Sequence, residues 1–122
     1  MKIMKIYKKT LLFDFDGVVH SYKSGWQGID VIPDKPVKGI KEAIESLRND
    51  YKIIIYSSRC IKKEGIEAIK KYCKEHEIYF DDVVDKKPPA FLTIDDRCIC
   101  FKGDADTLKT KIDYFVPWIG KR

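Results

Sequence analysis

The sequence predicts an α/β domain: three layers, with a mostly parallel sheet between helices. Three observations lead to this fold. Short, largely apolar runs at residues 11–13, 52–56 and 91–94 lack the alternation of half-exposed strands and suit strands buried on both faces. Stretches with apolar residues at helical spacing lie between the first two of these runs and again after the second. Strands that alternate with helices are joined by right-handed crossovers, which place neighbouring strands parallel.

Residues 1–8 alternate basic and apolar and suit a short edge or leading segment. The first core strand is expected over residues 10–15, so Asp14 and Asp16 lie at its carboxyl end, followed by Gly17. Residues 17–35 hold Gly25, Gly28 and Pro33 with Tyr22 and Trp26 between them, and read as a flap loop over the strand end. Pro36 suits a first helical turn, and Val37, Ile40, Ala43, Ile44 and Leu47 continue a helix over 36–48. The β-branched run at 52–56 is the second strand, ending at Ser57, Ser58 and Arg59. A second helix is expected over 62–76, with His76 at its end in a packing or dipole role. Residues 78–84 suit a short strand, and Pro88 with Pro89 exclude helix or central strand after it. Residues 91–94 form a further strand ending at Asp95 and Asp96. Residues 98–101 suit another strand, 104–111 a short helix, and the aromatic tail 114–119 a segment that packs back on the body.

The chain of 122 residues suits one domain spanning 1–122. Its 44% hydrophobic content fits an ordered chain, and no apolar run approaches the roughly 20 residues of a membrane span. The short, interrupted start does not resemble a signal peptide, so a cytoplasmic location and no membrane partner are expected. A net charge of +5 favours anionic ligands without singling out nucleic acid. Cys60, Cys73, Cys98 and Cys100 lack zinc-site spacing and are expected as buried free thiols.

The chemistry gathers at the strand ends. In a parallel sheet the carboxyl ends of adjacent strands converge on one crevice. Here they carry Asp14 and Asp16, then Ser57, then Asp95 and Asp96, with Lys86 and Lys87 just upstream of the last pair. Carboxylates at a strand mouth are expensive to desolvate unless a cation meets them, and Mg²⁺ prefers oxygen ligands. Acids, a hydroxyl and a lysine are the parts that handle a phosphoryl group together with Mg²⁺.

From about Leu11 to Phe101, the order Asp14-Phe15-Asp16-Gly17, Ser57, Lys86 or Lys87, and Asp95-Asp96 resembles the haloacid dehalogenase (HAD) hydrolases. The stretch KPPAFLTIDDR is similar to that of their small, capless bacterial and phage members. The resemblance implies a Rossmann-like fold, a phosphatase activity and a Mg²⁺ cofactor. It implies that Asp14 is the nucleophile, forming an aspartyl-phosphate, and that Asp16 is the acid and base, with its backbone carbonyl a Mg²⁺ ligand. It implies that Ser57 and a following backbone N–H hold phosphate oxygens and that Lys87 neutralises charge. Lys87 is preferred to Lys86 because it directly precedes the prolines. Asp95 is expected to complete the metal site, with Asp96 as second ligand or orienting residue. Ser58 and Arg59 are expected to contact substrate, a surface ion pair being the other reading for Arg59 and the favoured one for Arg97. Trp26 is expected as a packing anchor rather than a substrate platform.

The interval 17–35 has no room for a cap domain. An open site suits a large phosphorylated substrate, such as a nucleic-acid end, or a neighbouring subunit that serves as the cap. The alternative is a catalytically degenerate module of the same fold that only binds. A phosphorelay receiver has its acidic pair first and its lysine last, the reverse of this order. A DxD glycosyltransferase leaves Ser57, the lysines and Asp95-Asp96 unexplained.

Overall fold

The computed structural model describes residues 7–119. Four parallel strands form one sheet in the order β3-β2-β1-β4. They are β1 (Lys9–Phe13), β2 (Tyr51–Ile55), β3 (Asp82–Val83) and β4 (Leu92–Ile94). The helices are α1 (Ile40–Leu47), α2 (Lys63–Glu75) and α3 (Leu108–Asp113). The chain is therefore α/β, as expected. Among the described residues no helix is long and apolar enough to cross a membrane.

Register explains the core. Leu11 and Phe13 pair with Ile53 and Ile55 on one side and with Leu92 and Ile94 on the other. Side chains alternate along a strand, so Leu11, Phe13, Ile53 and Ile55 share one face. They pack with Ile44 of α1 and with Ile69, Tyr72 and Cys73 of α2. Both helices lie on this face because β1 to β2 and β2 to β3 step in the same direction, each with a right-handed crossover.

The expected helices on both faces are not fully met. The return from β3 to β4 runs through residues 84–91 without a helix, since two prolines in succession deny it donors. α3 contributes no residue to the core, and its Ile112 is 56% exposed.

Other boundaries shift for local reasons. Asp14 follows β1 rather than ending it, although its N–H still donates to the Ile94 carbonyl at 2.9 Å. Helix α1 starts at Ile40, not Pro36. Residues 36 and 37 instead pair with the flap base, where the Val37 N–H donates to the Val19 carbonyl at 2.8 Å. Gly39, at φ 85°, then turns the chain into the helix, a conformation that suits glycine.

Residues 98–101 form no strand, contrary to expectation. The Arg97 N–H caps the Asp95 carboxylate at 2.8 Å and turns the chain away from β4, so the segment meets no partner strand. Cys98 and Cys100 are consequently exposed, whereas Cys60 and Cys73 are buried as expected. The tail meets the body at Trp118, whose indole donates to the Gly17 carbonyl at 2.8 Å, but Tyr114, Val116 and Trp118 itself remain mostly exposed. Of the leading segment 1–8, residues 1–6 lie outside the described residues.

Candidate active site

The sheet order places β4 beside β1, on the side away from β2 and β3. Open α/β sheets hold their ligand crevice at such a reversal, outside the carboxyl ends of the strands. A cavity of about 400 Å³ opens there, and its lining includes Asp14, Asp16, Ser57, Ser58, Lys87, Asp95 and Asp96. Four separate stretches of chain thus bring together the residues expected from the sequence, Arg59 excepted. Lys86 does not line the cavity; Lys87 and Arg97 do.

Asp14, Asp95 and Asp96 each offer a carboxylate oxygen within 4.8 Å of the other two. All three are partly buried. Burial, the Asp95 charge and a hydrogen bond with Asp96 together push the Asp14 carboxyl up to about 8. Asp96 Oδ1 is buried without a hydrogen-bond partner among the described residues. An orphaned carboxylate oxygen beside two more carboxylates is a costly arrangement unless a cation completes it. An all-oxygen donor set suits a hard divalent ion. The expected preference for Asp95 over Asp96 has no support in this geometry. One Asp95 oxygen already accepts the Arg97 N–H, while the orphan belongs to Asp96.

Gly17 permits this crowding. Its φ is +86°, and a Cβ there would overlap the Asp96 carboxylate. The loop it begins is tied down, because the N–H groups of Val18, Val19 and His20 all converge on the Phe15 carbonyl, at 2.9 to 3.2 Å.

Asp16 stands apart from the carboxylate trio. Its Oδ2 accepts from Arg59 Nε at 2.9 Å, and its Oδ1 from Arg59 Nη2 at 3.2 Å and from His20 Nδ1 at 2.9 Å. The Asp34 N–H donates to His20 Nε2 at 3.1 Å, so the ring proton sits on Nδ1, facing Asp16. An ionised carboxylate offers about four acceptor positions, so these three bonds leave about one for a proton or a substrate oxygen. The carboxylates close enough to share an ion are those of Asp14, Asp95 and Asp96, and Asp16 is not among them.

Arg59 departs from both readings made for it. It is neither a surface ion pair nor a wall of the cavity: its exposure is 0%. Besides Asp16, its Nη1 donates to the carbonyls of Gly28 and Ile29 at 2.8 and 2.9 Å. It thus fastens the flap to the acid. The local fold allows this because Ser57 Oγ caps the 3₁₀ turn at Ser58–Ile61, accepting the Arg59 N–H at 3.2 Å. Gly65 of α2 lies so close that a Cβ there would overlap the Arg59 carbonyl.

The flap is a closed loop with no inserted domain. The Ser21 N–H donates to Lys35 O at 3.0 Å across its base, and Ser24 bonds the Asp34 carboxylate through its N–H at 2.8 Å and its hydroxyl at 2.6 Å. The Tyr72 hydroxyl donates to the Asp34 carbonyl at 2.9 Å, joining α2 to the flap. His20 and Arg59 as joint holders of Asp16 were not legible in the sequence. The available hints were the i,i+4 spacing of Asp16 and His20 and an arginine directly after a serine pair. His76 packs against the Tyr72 ring at 4.3 Å, as expected of a helix-end residue.

Compared with family models, curated proteins and solved structures, the chain matches none.

Proposed function

We propose that this chain is a Mg²⁺-dependent phosphohydrolase of the haloacid dehalogenase type, acting through an aspartyl-phosphate on Asp14. The observation that carries the reading is the carboxylate trio Asp14, Asp95 and Asp96, one oxygen of which, Asp96 Oδ1, is buried without a partner among the described residues, with Lys87 and Ser57 on the same cavity. Asp14, Asp95 and Asp96 are the residues that would hold Mg²⁺, which when bound offsets their mutual repulsion and the charge of phosphoryl oxygens.

The chain's own residues divide the reaction into two displacements. An Asp14 oxygen attacks phosphorus as the bond to the leaving oxygen breaks. Asp16 gives that oxygen a proton, and the first product departs as an alcohol. Water then attacks phosphorus, Asp16 takes its proton, and the bond to Asp14 breaks to release phosphate. Arg59 and His20 hold Asp16 in one orientation for both transfers. Ser57 and Ser58 border the phosphoryl position, and Lys87 brings the cationic charge that an anionic substrate needs. With only a flap as cover, the site suits a phosphate carried on a large molecule, a nucleic-acid end among them; a second subunit acting as cap is the alternative arrangement.

The test is hydrolysis of an aryl phosphate with and without Mg²⁺, in wild type and Asp14→Asn. Turnover that requires Mg²⁺ and vanishes in the variant is expected. Turnover that survives Asp14→Asn removes the nucleophile assignment. Cation binding without turnover of any phosphate ester favours the degenerate binding module instead.

A further inference from the structure

The cavity wall carries aromatic side chains that no step above uses: Tyr22, Trp26 and Tyr56. Trp26 is 52% exposed, which is a poor packing anchor for a side chain of that size. Its contact is specific. The Arg59 guanidinium lies over the indole ring, 4.7 Å from the ring centre. Arg59 is itself fully buried and fixed by Asp16 and by the carbonyls of Gly28 and Ile29, just beyond Trp26. The indole is therefore a rigid platform, backed on one face and open to the cavity.

Tyr22 repeats the pattern from the other holder of Asp16. Its ring stands edge-on to His20 at 5.9 Å. Its backbone has φ 61°, a left-handed conformation that a bulky side chain rarely adopts. The flap keeps the residue there even though glycine would relieve the strain, and such outliers gather at ligand sites. Each of the two residues that grip Asp16 thus supports one aromatic ring of the cavity wall.

We propose that Trp26 and Tyr22 form a nucleobase subsite, so that the phosphomonoester entering this cavity is that of a nucleotide. The proposal rests on the phosphohydrolase reading for the phosphate end, while the base end is testable by itself. A cavity of about 400 Å³ exceeds what a phosphoryl group alone fills. Stacking on a ring already held in place needs little ordering on binding, and every base has a flat face to offer. The chain's net charge of +5 and Lys87 on the wall favour the anionic end of the same ligand. A free nucleotide and the phosphorylated end of a strand present this same chemistry.

The experiment is an intrinsic-fluorescence titration with Mg²⁺ present, the two tryptophans being Trp26 and Trp118. The probes are adenosine monophosphate, ribose 5-phosphate and an oligonucleotide with a terminal phosphate. The nucleotide is expected to bind roughly tenfold to a hundredfold more tightly than ribose 5-phosphate, with quenching. In Trp26→Leu that ratio falls to near one. Equal affinities in the wild type, or a ratio that survives Trp26→Leu, overturn the proposal. The wild-type comparison stands even if the variant does not fold. Both source arms support it: equal binding of mononucleotide and oligonucleotide assigns a free nucleotide, and tighter oligonucleotide binding assigns a strand end. Hydrolysis of aryl phosphate without base preference removes the subsite alone. Base preference without hydrolysis of any ester removes the phosphohydrolase reading alone.

Discussion

Arg59 binds Asp16 across 43 positions of chain, its Nε donating to Oδ2 at 2.9 Å and its Nη2 to Oδ1 at 3.2 Å. The same guanidinium holds two flap carbonyls, so the acid, the flap and the 3₁₀ turn after β2 form one unit. A charge this deeply buried is tolerated only because it is paired and hydrogen-bonded on nearly every donor.

Breaking this unit is therefore expected to be severe. Arg59→Met leaves Asp16 and two carbonyls short of partners and is expected to destabilise by about 3–5 kcal/mol in urea unfolding. Adding Asp16→Asn to it should cost less than the two single losses summed, because the partners act on each other. Strict additivity in that cycle would show that the pair is not coupled.

Asp14 makes stability depend on pH. Its carboxyl titrates near 3.8 in the unfolded chain and near about 8 in the folded protein without metal. Between these values the folded state keeps a proton that the unfolded state has lost. The stability from this group is thus full below pH 3.8 and lost as pH rises through about 8. Melting scans with a chelator should show that decline, and Asp14→Asn should flatten it. With Mg²⁺ the proton must be displaced, so cation affinity should rise with pH over the same window.

Gly17→Ala sets a Cβ against the Asp96 carboxylate at φ +86°. The left-handed backbone alone disfavours alanine by about 1–2 kcal/mol. Displacing Asp96 should also weaken Mg²⁺ binding by about tenfold or more, measured calorimetrically. Unchanged affinity would mean that Asp96 is not part of the cation site.

Trp118→Phe keeps an aromatic ring but removes the donor to the Gly17 carbonyl. At 63% exposure of the indole, a loss of about 0.5–1.5 kcal/mol in unfolding is expected, not more. A larger loss would mean that the tail does more for the loop at Gly17 than this one hydrogen bond.

The sheet was legible because Leu11, Phe13, Ile53 and Ile55 are buried by a register that follows from unbroken apolar runs. The carboxylates and Ser57 were legible because strand order brings strand ends together, and Lys87 because it directly precedes the prolines of the connection into β4. Other features depend on distant contacts that no local pattern encodes. Pro36 looked like a helix start, yet its neighbour Val37 pairs with Val19 of the flap base, which delays α1 to Ile40. Residues 98–101 had strand composition but found no strand to pair with. Arg59 looked like a substrate contact or a surface ion pair because its partners, Asp16, Gly28 and Ile29, are brought to it only by the fold.

The most direct test of an aspartyl-phosphate on Asp14 uses Asp16→Asn, in which water lacks its base and the second displacement slows. The variant is mixed with an aryl phosphate and Mg²⁺, quenched in acid, and mapped by peptide mass. A single phosphoryl group on the peptide at Asp14 is the expected result. Release of the aryl alcohol with no phosphoryl group on the protein, or with one on a residue other than Asp14, would contradict it.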